Sequence, residues 1–330
     1  MVDAETGVLI WKAVKGASTG ASADARVYTH VELKDSIPSA LTVVDTDGDG
    51  NADRILVGDT GGNLWRADLK GDPRDWTLTL VAQLGRHAAG ASGKGDDRRF
   101  FHEPDLVLAR DAAGPYDAIV IGSGDREDPL DYGRARSAAG VETFTENGLY
   151  VIKDRRTAIG SAAGITPLTP TQLTDVTSDC LQTSGCTPDL GAGWRVRLTA
   201  TPGEKILSSA LTAANRVYFT SYLPPDMHNT TSCTSSEGSG LFYTVSQADG
   251  TASFNYNTAD GVSSTGGANS AADRSRPLAS AGIPASPVYV NVADSASVGG
   301  SVKCVLASDL QCRSGTGATR FRTFWNRTEQ

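Results

Sequence analysis

The chain has 330 residues, of which 39% are apolar and 7% aromatic, and its formal net charge at pH 7 is −8. This acidic balance argues against nucleic acid as a partner, because nucleic-acid-binding proteins present a basic patch to the phosphates. No apolar run reaches the roughly 18 residues that a membrane-spanning helix needs, and residues 1–5 lack the apolar core of a signal peptide.

Short apolar runs separated by Gly, Asn and Asp turns follow one another along the chain. A run at residues 7–11 comes first, and we interpret it as the third strand of an incomplete unit. Three units then repeat one order: an apolar run after Pro or Ser, a second run after a turn, and a third run led by Gly. Their runs lie at residues 39–44, 54–58 and 62–67, at 104–109, 118–122 and 148–152, and at 209–213, 216–220 and 240–245. A weaker fourth unit has runs at 286–290 and 301–306.

Repeated antiparallel units of this kind indicate an all-β fold, the β-propeller. One unit cannot bury both of its faces, whereas units stacked radially cover one another. The runs at 76–81 and 194–198 are candidates for outer strands. Third runs recur at intervals longer than the roughly 40–50 residues of an ordinary blade, so insertions or degenerate blades lie between them. We expect a single propeller domain over residues 1–330, with about four clear blades, degenerate or partial ones beside them, and early blades missing.

Long polar segments interrupt these units. They lie at residues 16–22, 90–95 and 255–276 and are rich in Ser, Gly, Asn and Ala. Segments of this composition bury too little apolar surface to fold alone. They predict insertion loops on the propeller scaffold.

The most specific motif is an acidic loop inside the first unit. Residues 45–53 read Asp-Thr-Asp-Gly-Asp-Gly-Asn-Ala-Asp, which puts carboxylates at the first, third, fifth and ninth positions. These carboxylates repel one another unless a cation lies among them, and Ca²⁺ is a hard cation that takes about six to eight oxygen ligands. Gly48 and Gly50 let the backbone curl so that the side chains converge. We predict a calcium site formed by the side chains of Asp45, Asp47, Asp49 and Asp53 and the main-chain carbonyl of Asn51.

The loop differs from an EF-hand in two ways. Its flanks predict strands, and its twelfth position is Leu56 where an EF-hand has a bidentate Glu. The alternative to a calcium site is an acidic turn without an ion, since Asp and Gly dominate turns in general.

Five cysteines bear on the compartment. Cys180 lies near Cys186, and Cys304 lies near Cys312, at spacings that do not match a zinc site. Close pairs of this kind predict disulfides and an oxidising compartment. The alternative is free cysteines in a reducing cell. Cys233 belongs to neither pair, and we interpret it either as a small buried residue or as the partner of a cysteine outside the chain.

Four segments together resemble one known family. They are residues 45–54 continuing into 58–69, residues 122–127, residues 193–207 with 217–222, and the terminal run 321–325. Together they are similar to PilY-type proteins, the large calcium-binding tip and biogenesis factors of type IV pili. That family is much longer and carries an N-terminal von Willebrand A-like part that we do not find here.

The resemblance implies a C-terminal region with a modified quinoprotein-like propeller and a calcium ion on Asp45, Asp47, Asp49 and Asp53. It also implies a secreted protein that reaches the bacterial cell surface and pilus tip through the periplasm and outer membrane. The implied partners are pilins, minor pilins and a host-surface receptor. The implied role is control of pilus extension against retraction, with twitching motility and adhesion as its outputs.

For this non-enzymatic module we predict no catalytic residues. Two other functions stay open as alternatives. One is a calcium-dependent enzyme on the same scaffold, either a dehydrogenase or a glycan-active enzyme. Against a dehydrogenase, quinone dehydrogenases of this fold carry a vicinal Cys-Cys ring that the chain lacks. Against a glycan-active enzyme, the acidic residues at 125–128 with Asp131 fit a solvated, internally paired loop better than the carboxylate pair of a glycosidase. The other keeps calcium purely structural and makes the polar loops an adhesive surface.

Overall fold

The computed structural model describes residues 1–130, 144–160, 164–178, 181, 186–225, 237–257, 259, 270–293, 301–307 and 309–313, and beyond residue 290 the description is of the backbone. Within these residues the protein consists of β-strands arranged in five sheets. Short 3-10 helices interrupt the strands at Pro73–Asp75, Lys94–Asp96, Pro170–Gln172 and Ala271–Arg274. The predicted all-β class is therefore confirmed.

The first sheet holds three strands in the order β1-β3-β2, with β1 parallel to β3. Its strands are β1 (Lys12–Lys15), β2 (Gly20–Ala21) and β3 (Val27–His30). The predicted opening strand at residues 7–11 is thus misplaced, because β1 begins at Lys12. Gly7 turns the chain with a φ of +69°, and the apolar run that follows packs the Trp11 side chain into the core.

The first blade is a four-stranded antiparallel sheet in chain order. Its strands are β4 (Thr42–Val44), β5 (Arg54–Gly58), β6 (Asn63–Asp68) and β7 (Thr77–Gln83). The three predicted runs of the first unit are therefore confirmed as strands, and the outer-strand candidate at 76–81 becomes β7.

The next three sheets match the remaining predicted units. The second blade contains β8 (Asp105–Asp111), β9 (Gly114–Gly122), β10 (Gly148–Asp154), β11 (Thr174–Asp175) and β12 (Gly193–Arg197), in the order β11-β12-β10-β9-β8. The third contains β13 (Leu211–Ala213), β14 (Arg216–Leu223), β15 (Ser239–Ser246) and β16 (Ser275–Pro277). The fourth contains β17 (Val288–Ala293), β18 (Ser301–Ala307) and β19 (Asp309–Arg313). The second outer-strand candidate, at 194–198, becomes β12, but β11 pairs with it on its outer side, so β12 is not the edge strand of this sheet.

The core lies between successive sheets, as face-to-face stacking requires. Strand β9 shows how the period of two in a strand divides its side chains between two neighbours. Ile119 and Ile121 pack with residues of the first blade, whereas Val120 packs with Trp194 of its own blade and Phe219 of the third. Each of these five side chains is almost fully buried. Both faces of the second blade are therefore covered, which is the reason that its strands read as continuous apolar runs.

Several predictions concern cysteines and terminal segments. The backbone register places Cys304 directly opposite Cys312 in neighbouring antiparallel strands. Cys186 is disulfide-bonded. Cys180, Cys233 and the predicted terminal strand at 321–325 lie outside the described residues, as do residues 258 and 260–269 of the polar segment 255–276. Both cysteine pairings therefore stay predictions. In the part of the chain that is described, no helix has the length and apolar composition that crossing a membrane requires.

Candidate metal centre

The acidic loop forms the turn between β4 and β5. Val44 and Arg54 are paired at its base. The main-chain N–H of Asp53 donates to the carbonyl of Val44 at 2.9 Å, and the N–H of Leu69 donates to the carbonyl of Asp53 at 2.7 Å. Both ends of the loop are therefore held by the sheet, while its central residues 47–51 are exposed.

Three of the predicted ligands converge on one point. Asp45, Asp47 and Asp49 each offer a carboxylate oxygen, and these oxygens lie within 4.8 Å of one another. Asp45 is partly exposed, and the other two are exposed. Carboxylate oxygens gathered in this way suit a hard cation such as Ca²⁺, which accepts exposed and irregular coordination.

Main-chain N–H groups of the loop fix the position of these carboxylates. Asp45 accepts hydrogen bonds from Gly48 N at 2.6 Å and from Gly50 N at 2.9 Å. Asp47 accepts one from Asp49 N at 3.1 Å. The bond from Gly50 contributes most to holding the pKa of Asp45 below its ordinary value, and the bond from Gly48 adds to it. Asp45 is therefore ionised, as a cation ligand must be, throughout the neutral range.

The two glycines of the loop are required by its backbone shape. Gly48 has a φ of +80° and Gly50 a φ of +90°, conformations that residues with a Cβ rarely adopt. These conformations aim the N–H groups of both glycines inward at Asp45. The expectation that the glycines curl the loop is confirmed.

The remaining two predicted ligands have different positions. The group of three carboxylates does not include Asp53, which is buried and accepts hydrogen bonds from Thr46 N and Thr46 Oγ1, both at 2.6 Å. Asn51 donates from its main-chain N to Asp49 at 2.7 Å and from its side chain to the same carboxylate at 3.1 Å. Asp53 therefore closes the loop through Thr46, and its role as a ligand stays a prediction together with that of the Asn51 carbonyl.

Directly after Asp53, a buried network of charges connects the loop with the second blade. Arg54 is 1% exposed and pairs with Asp68 of its own blade at 3.4 Å and closely with Asp117 of the second blade. Arg66 pairs with Asp68 at 2.8 Å and with Asp154 of the second blade at 2.6 Å. Two arginines of the first blade thus hold two aspartates of the second.

Sequence reasoning missed this network, although a signal for it exists. Arg54, Arg66 and Asp117 are charged residues within or at the start of apolar strand runs. A charge in such a position either interrupts the strand or has a buried partner. The partners lie 63 and 88 residues away along the chain, so only the stacking of blades reveals which pairs form.

Two further acidic residues of the family-like segments serve the fold. Asp59 is fully buried and accepts hydrogen bonds from Trp65 Nε1 at 2.8 Å and from Asn63 Nδ2 at 2.9 Å. Burial raises the pKa of Asp59 above its ordinary value. Glu204 accepts hydrogen bonds from Ser221 Oγ at 2.5 Å and from Tyr243 OH at 2.8 Å, and burial raises its pKa as well. These carboxylates fasten strands together inside the blades.

Asp125, one of the acidic residues of the 125–128 loop, is engaged with neighbouring groups. Asp125 accepts hydrogen bonds from the main-chain N–H groups of Glu127 and Asp128 at 3.0 and 3.3 Å, and pairs with Arg99 at 3.1 Å. This agrees with the interpretation of an internally paired loop. Asp131 lies outside the described residues.

The fold and the loop define an all-β, propeller-like protein with a candidate cation site in one blade turn. A scan against protein-family models finds no match. The chain is 26% identical over 231 residues to a type IV pilus biogenesis factor, the PilY1 homolog of Xylella fastidiosa, a match that covers 64% of this chain and 14% of that protein.

Comparison with solved structures finds a related fold. The crystal structure of the C-terminal domain of Pseudomonas aeruginosa PilY1 superimposes with a TM-score of 0.60 at 18% identity, over 96% of this chain and 65% of that one. The shared fold and the sequence match confirm the resemblance to the C-terminal region of PilY-type proteins. The chain spans only part of the length of both relatives.

Proposed function

We propose that the chain is a calcium-binding, non-enzymatic module of a type IV pilus biogenesis or tip protein. The observation that carries this proposal is the convergence of Asp45, Asp47 and Asp49 within 4.8 Å, in a chain that resembles PilY-type proteins. The relative from Xylella fastidiosa is described as a type IV pilus biogenesis factor, and the proposal extends that role to this chain. We place the module at the bacterial surface, in contact with pilins and minor pilins.

The carboxylates of Asp45, Asp47 and Asp49 would hold the ion, with Asp53 and the carbonyl of Asn51 completing the donor set. A bound Ca²⁺ offsets the mutual repulsion of the carboxylates and favours the curled loop over extended alternatives. An ion that binds the folded loop more tightly than the unfolded chain adds its binding free energy to stability. Calcium thereby stabilises the β4–β5 turn.

The step from the ion to pilus control depends on the buried network. Arg54 follows the last predicted ligand directly and pairs with Asp117 in the second blade. A change in loop order therefore acts on the contact between two blades, and a surface that includes both blades has a calcium-dependent shape. We propose that pilus components meet such a surface, so that calcium regulates extension against retraction, and adhesion with it.

An experiment in living cells tests this function. Cells that carry Asp49→Ala in the full-length protein should lose calcium-dependent piliation and twitching motility, because the loop loses one of the three converging carboxylates. Asp75→Ala is the matched control, since Asp75 is an exposed aspartate of the same blade outside the loop. Cells with Asp75→Ala should move normally.

Two outcomes contradict the proposal in different ways. Unchanged calcium binding by the purified Asp49→Ala protein contradicts the ligand assignment. Lost calcium binding with normal piliation and motility contradicts the regulatory role and leaves the ion a structural one.

A further inference from the structure

A cavity of about 390 Å³ lies between the acidic loop and the second blade. Thr46 and Asp47 of the loop form one wall. Leu108 and Tyr116 of the β8–β9 hairpin and Ala158, which follows β10, contribute to the others. This size falls within the range of about 300–1,000 Å³ that ligand pockets occupy.

The chemistry of the walls combines apolar surface with acidic groups. Leu108 is 60% exposed, so an apolar side chain of the wall is open to solvent. Asp47 and Asp117 are both acidic, and they are the charged residues of the wall among those that the structure describes. Asp117 is 1% exposed and pairs with Arg54 through Oδ2, while its Oδ1 has no hydrogen-bond partner among the described residues. A buried acceptor without a partner favours a ligand that brings a donor or a positive charge.

The wall opposite the loop is held in place by the arginine network. Arg54 Nη2 donates to the carbonyl of Thr157 at 3.2 Å, and Arg66 Nη2 donates to the carbonyl of Ala158 at 3.3 Å. Both guanidinium groups are buried and ion-paired, so these carbonyls have fixed donors. The cavity is therefore preformed on this side, which lowers the entropic cost of binding.

We propose that this cavity binds a peptide segment of a partner protein that carries a bulky apolar side chain beside a basic one. The apolar side chain fills the space next to Leu108 and Ile159. The basic side chain lies against Asp47 and the neighbouring loop carboxylates. Charge complementarity holds with calcium present, because Ca²⁺ offsets two of the four carboxylate charges of the loop and leaves the rim acidic.

The dependence of this site on calcium rests on the proposed function, whereas the cavity itself does not. Thr46 and Asp47 belong to the loop that the ion orders, so the loop wall keeps its shape best when the ion is bound. Calcium then strengthens peptide binding, although it reduces the negative charge of the rim.

A fluorine NMR titration tests the site with a defined probe, the peptide acetyl-Lys-Trp-Lys-amide made with fluorotryptophan. Ala158→Phe fills the cavity from an exposed position, and Ala113→Phe places the same ring at the exposed tip of the β8–β9 hairpin outside the cavity. Ala158→Phe should raise the dissociation constant by about tenfold or more, as expected when a large apolar side chain loses its place. Ala113→Phe should leave it unchanged within about twofold.

A second peptide, acetyl-Glu-Trp-Glu-amide, tests the charge preference and should bind about tenfold more weakly than the lysine peptide. Absence of binding to the unsubstituted protein, or equal binding by the two phenylalanine variants, overturns the site. Equal binding of the two peptides overturns the basic partner. Two measurements separate this site from the proposed function. Absence of calcium uptake by the protein contradicts the proposed function. The comparison of Ala158→Phe with Ala113→Phe, made with chelator present, still decides whether the cavity binds the peptide.

Discussion

Replacement of Arg54 by methionine tests whether the charges between the first two blades form one buried unit. Arg54→Met keeps most of the aliphatic volume and removes the guanidinium. Asp117 then loses the only cation within contact distance in the described part of the chain, while Asp68 keeps its bond to Arg66 at 2.8 Å. Thr157 also loses a donor to its carbonyl.

The expected loss of stability is large because the pair is buried. Arg54 and Asp117 are each about 1% exposed, and removal of one partner of a buried ion pair costs about 3–5 kcal/mol. This is a substantial part of the free energy of unfolding of a domain, which is roughly 5–15 kcal/mol. Arg74→Met is the matched control, since the side chain of Arg74 is 73% exposed and lies 3.7 Å from Asp72. An exposed pair of this kind contributes about 1 kcal/mol or less.

Urea unfolding of the purified protein, followed by fluorescence, measures both variants. The double variant Arg54→Met/Asp117→Leu should recover part of the loss, because no unpaired charge remains buried. If Arg54→Met costs no more than Arg74→Met, or if the double variant is less stable than the sum of its parts predicts, the account of the network is wrong.

The same variant has a distinct pH dependence. Burial raises the pKa of Asp117 above its ordinary value, and Arg54 is the largest influence opposing that rise. Without Arg54 the pKa rises further, and the folded protein holds the proton to a higher pH than the unfolded chain does. The contribution of Asp117 to the stability of the variant is therefore greatest at low pH and is lost as the pH rises through the raised pKa. The difference between wild type and variant should shrink on acidification.

Three other predictions follow from particular contacts. Glu204→Gln should gain stability relative to wild type as the pH rises above 4.5. Burial raises the pKa of Glu204 in the folded state, so the wild type loses stability as the pH rises through this raised pKa. Urea unfolding at a series of pH values measures the difference between the two proteins, and a difference that stays constant with pH would contradict the prediction. Gly50→Ala should cost about 1–2 kcal/mol in thermal unfolding, since an alanine is strained at a φ of +90°, and a neutral effect would show that the loop has another shape. A peptide joined through Cys304 and Cys312 should appear in mass spectra of a non-reduced digest, because the two residues are directly opposite in β18 and β19; recovery of both as free thiols would refute the pairing.

The strands of the blades could be predicted because local signals agreed. Apolar runs bounded by Gly, Asn and Asp turns located four strands of each of the first two units and three of the third, and β5 was predicted with the bounds that the structure gives it, Arg54–Gly58. The short strands β11 and β16 were missed because neither is an apolar run, and β16 begins inside the segment 255–276 that we expected to be an insertion loop. The run at residues 7–11 failed for a physical reason: it is apolar enough to be a strand, but Gly7 turns the chain and Trp11 is used for packing. Composition alone does not distinguish these two uses.

The candidate site was predictable only where its geometry is local. Asp45, Asp47 and Asp49 converge because two glycines in a short turn force them to, and the spacing contains that information. Asp53 differs, since Thr46 offers it two hydrogen bonds that no spacing rule anticipates. Contacts between blades, such as the network around Arg54 and the adjoining cavity, depend on how sheets stack and lie beyond the reach of the sequence pattern.

Calorimetric titration of the purified protein with calcium tests the central claim most directly, with Asp47→Ala and the matched control Asp75→Ala measured beside it. We predict saturable calcium uptake by the wild type and by Asp75→Ala, and an affinity reduced by about tenfold or more in Asp47→Ala, because affinity follows the number of charged ligands. Absence of calcium uptake by the wild type, or equal affinity in all three proteins, would contradict a calcium site formed by the acidic loop.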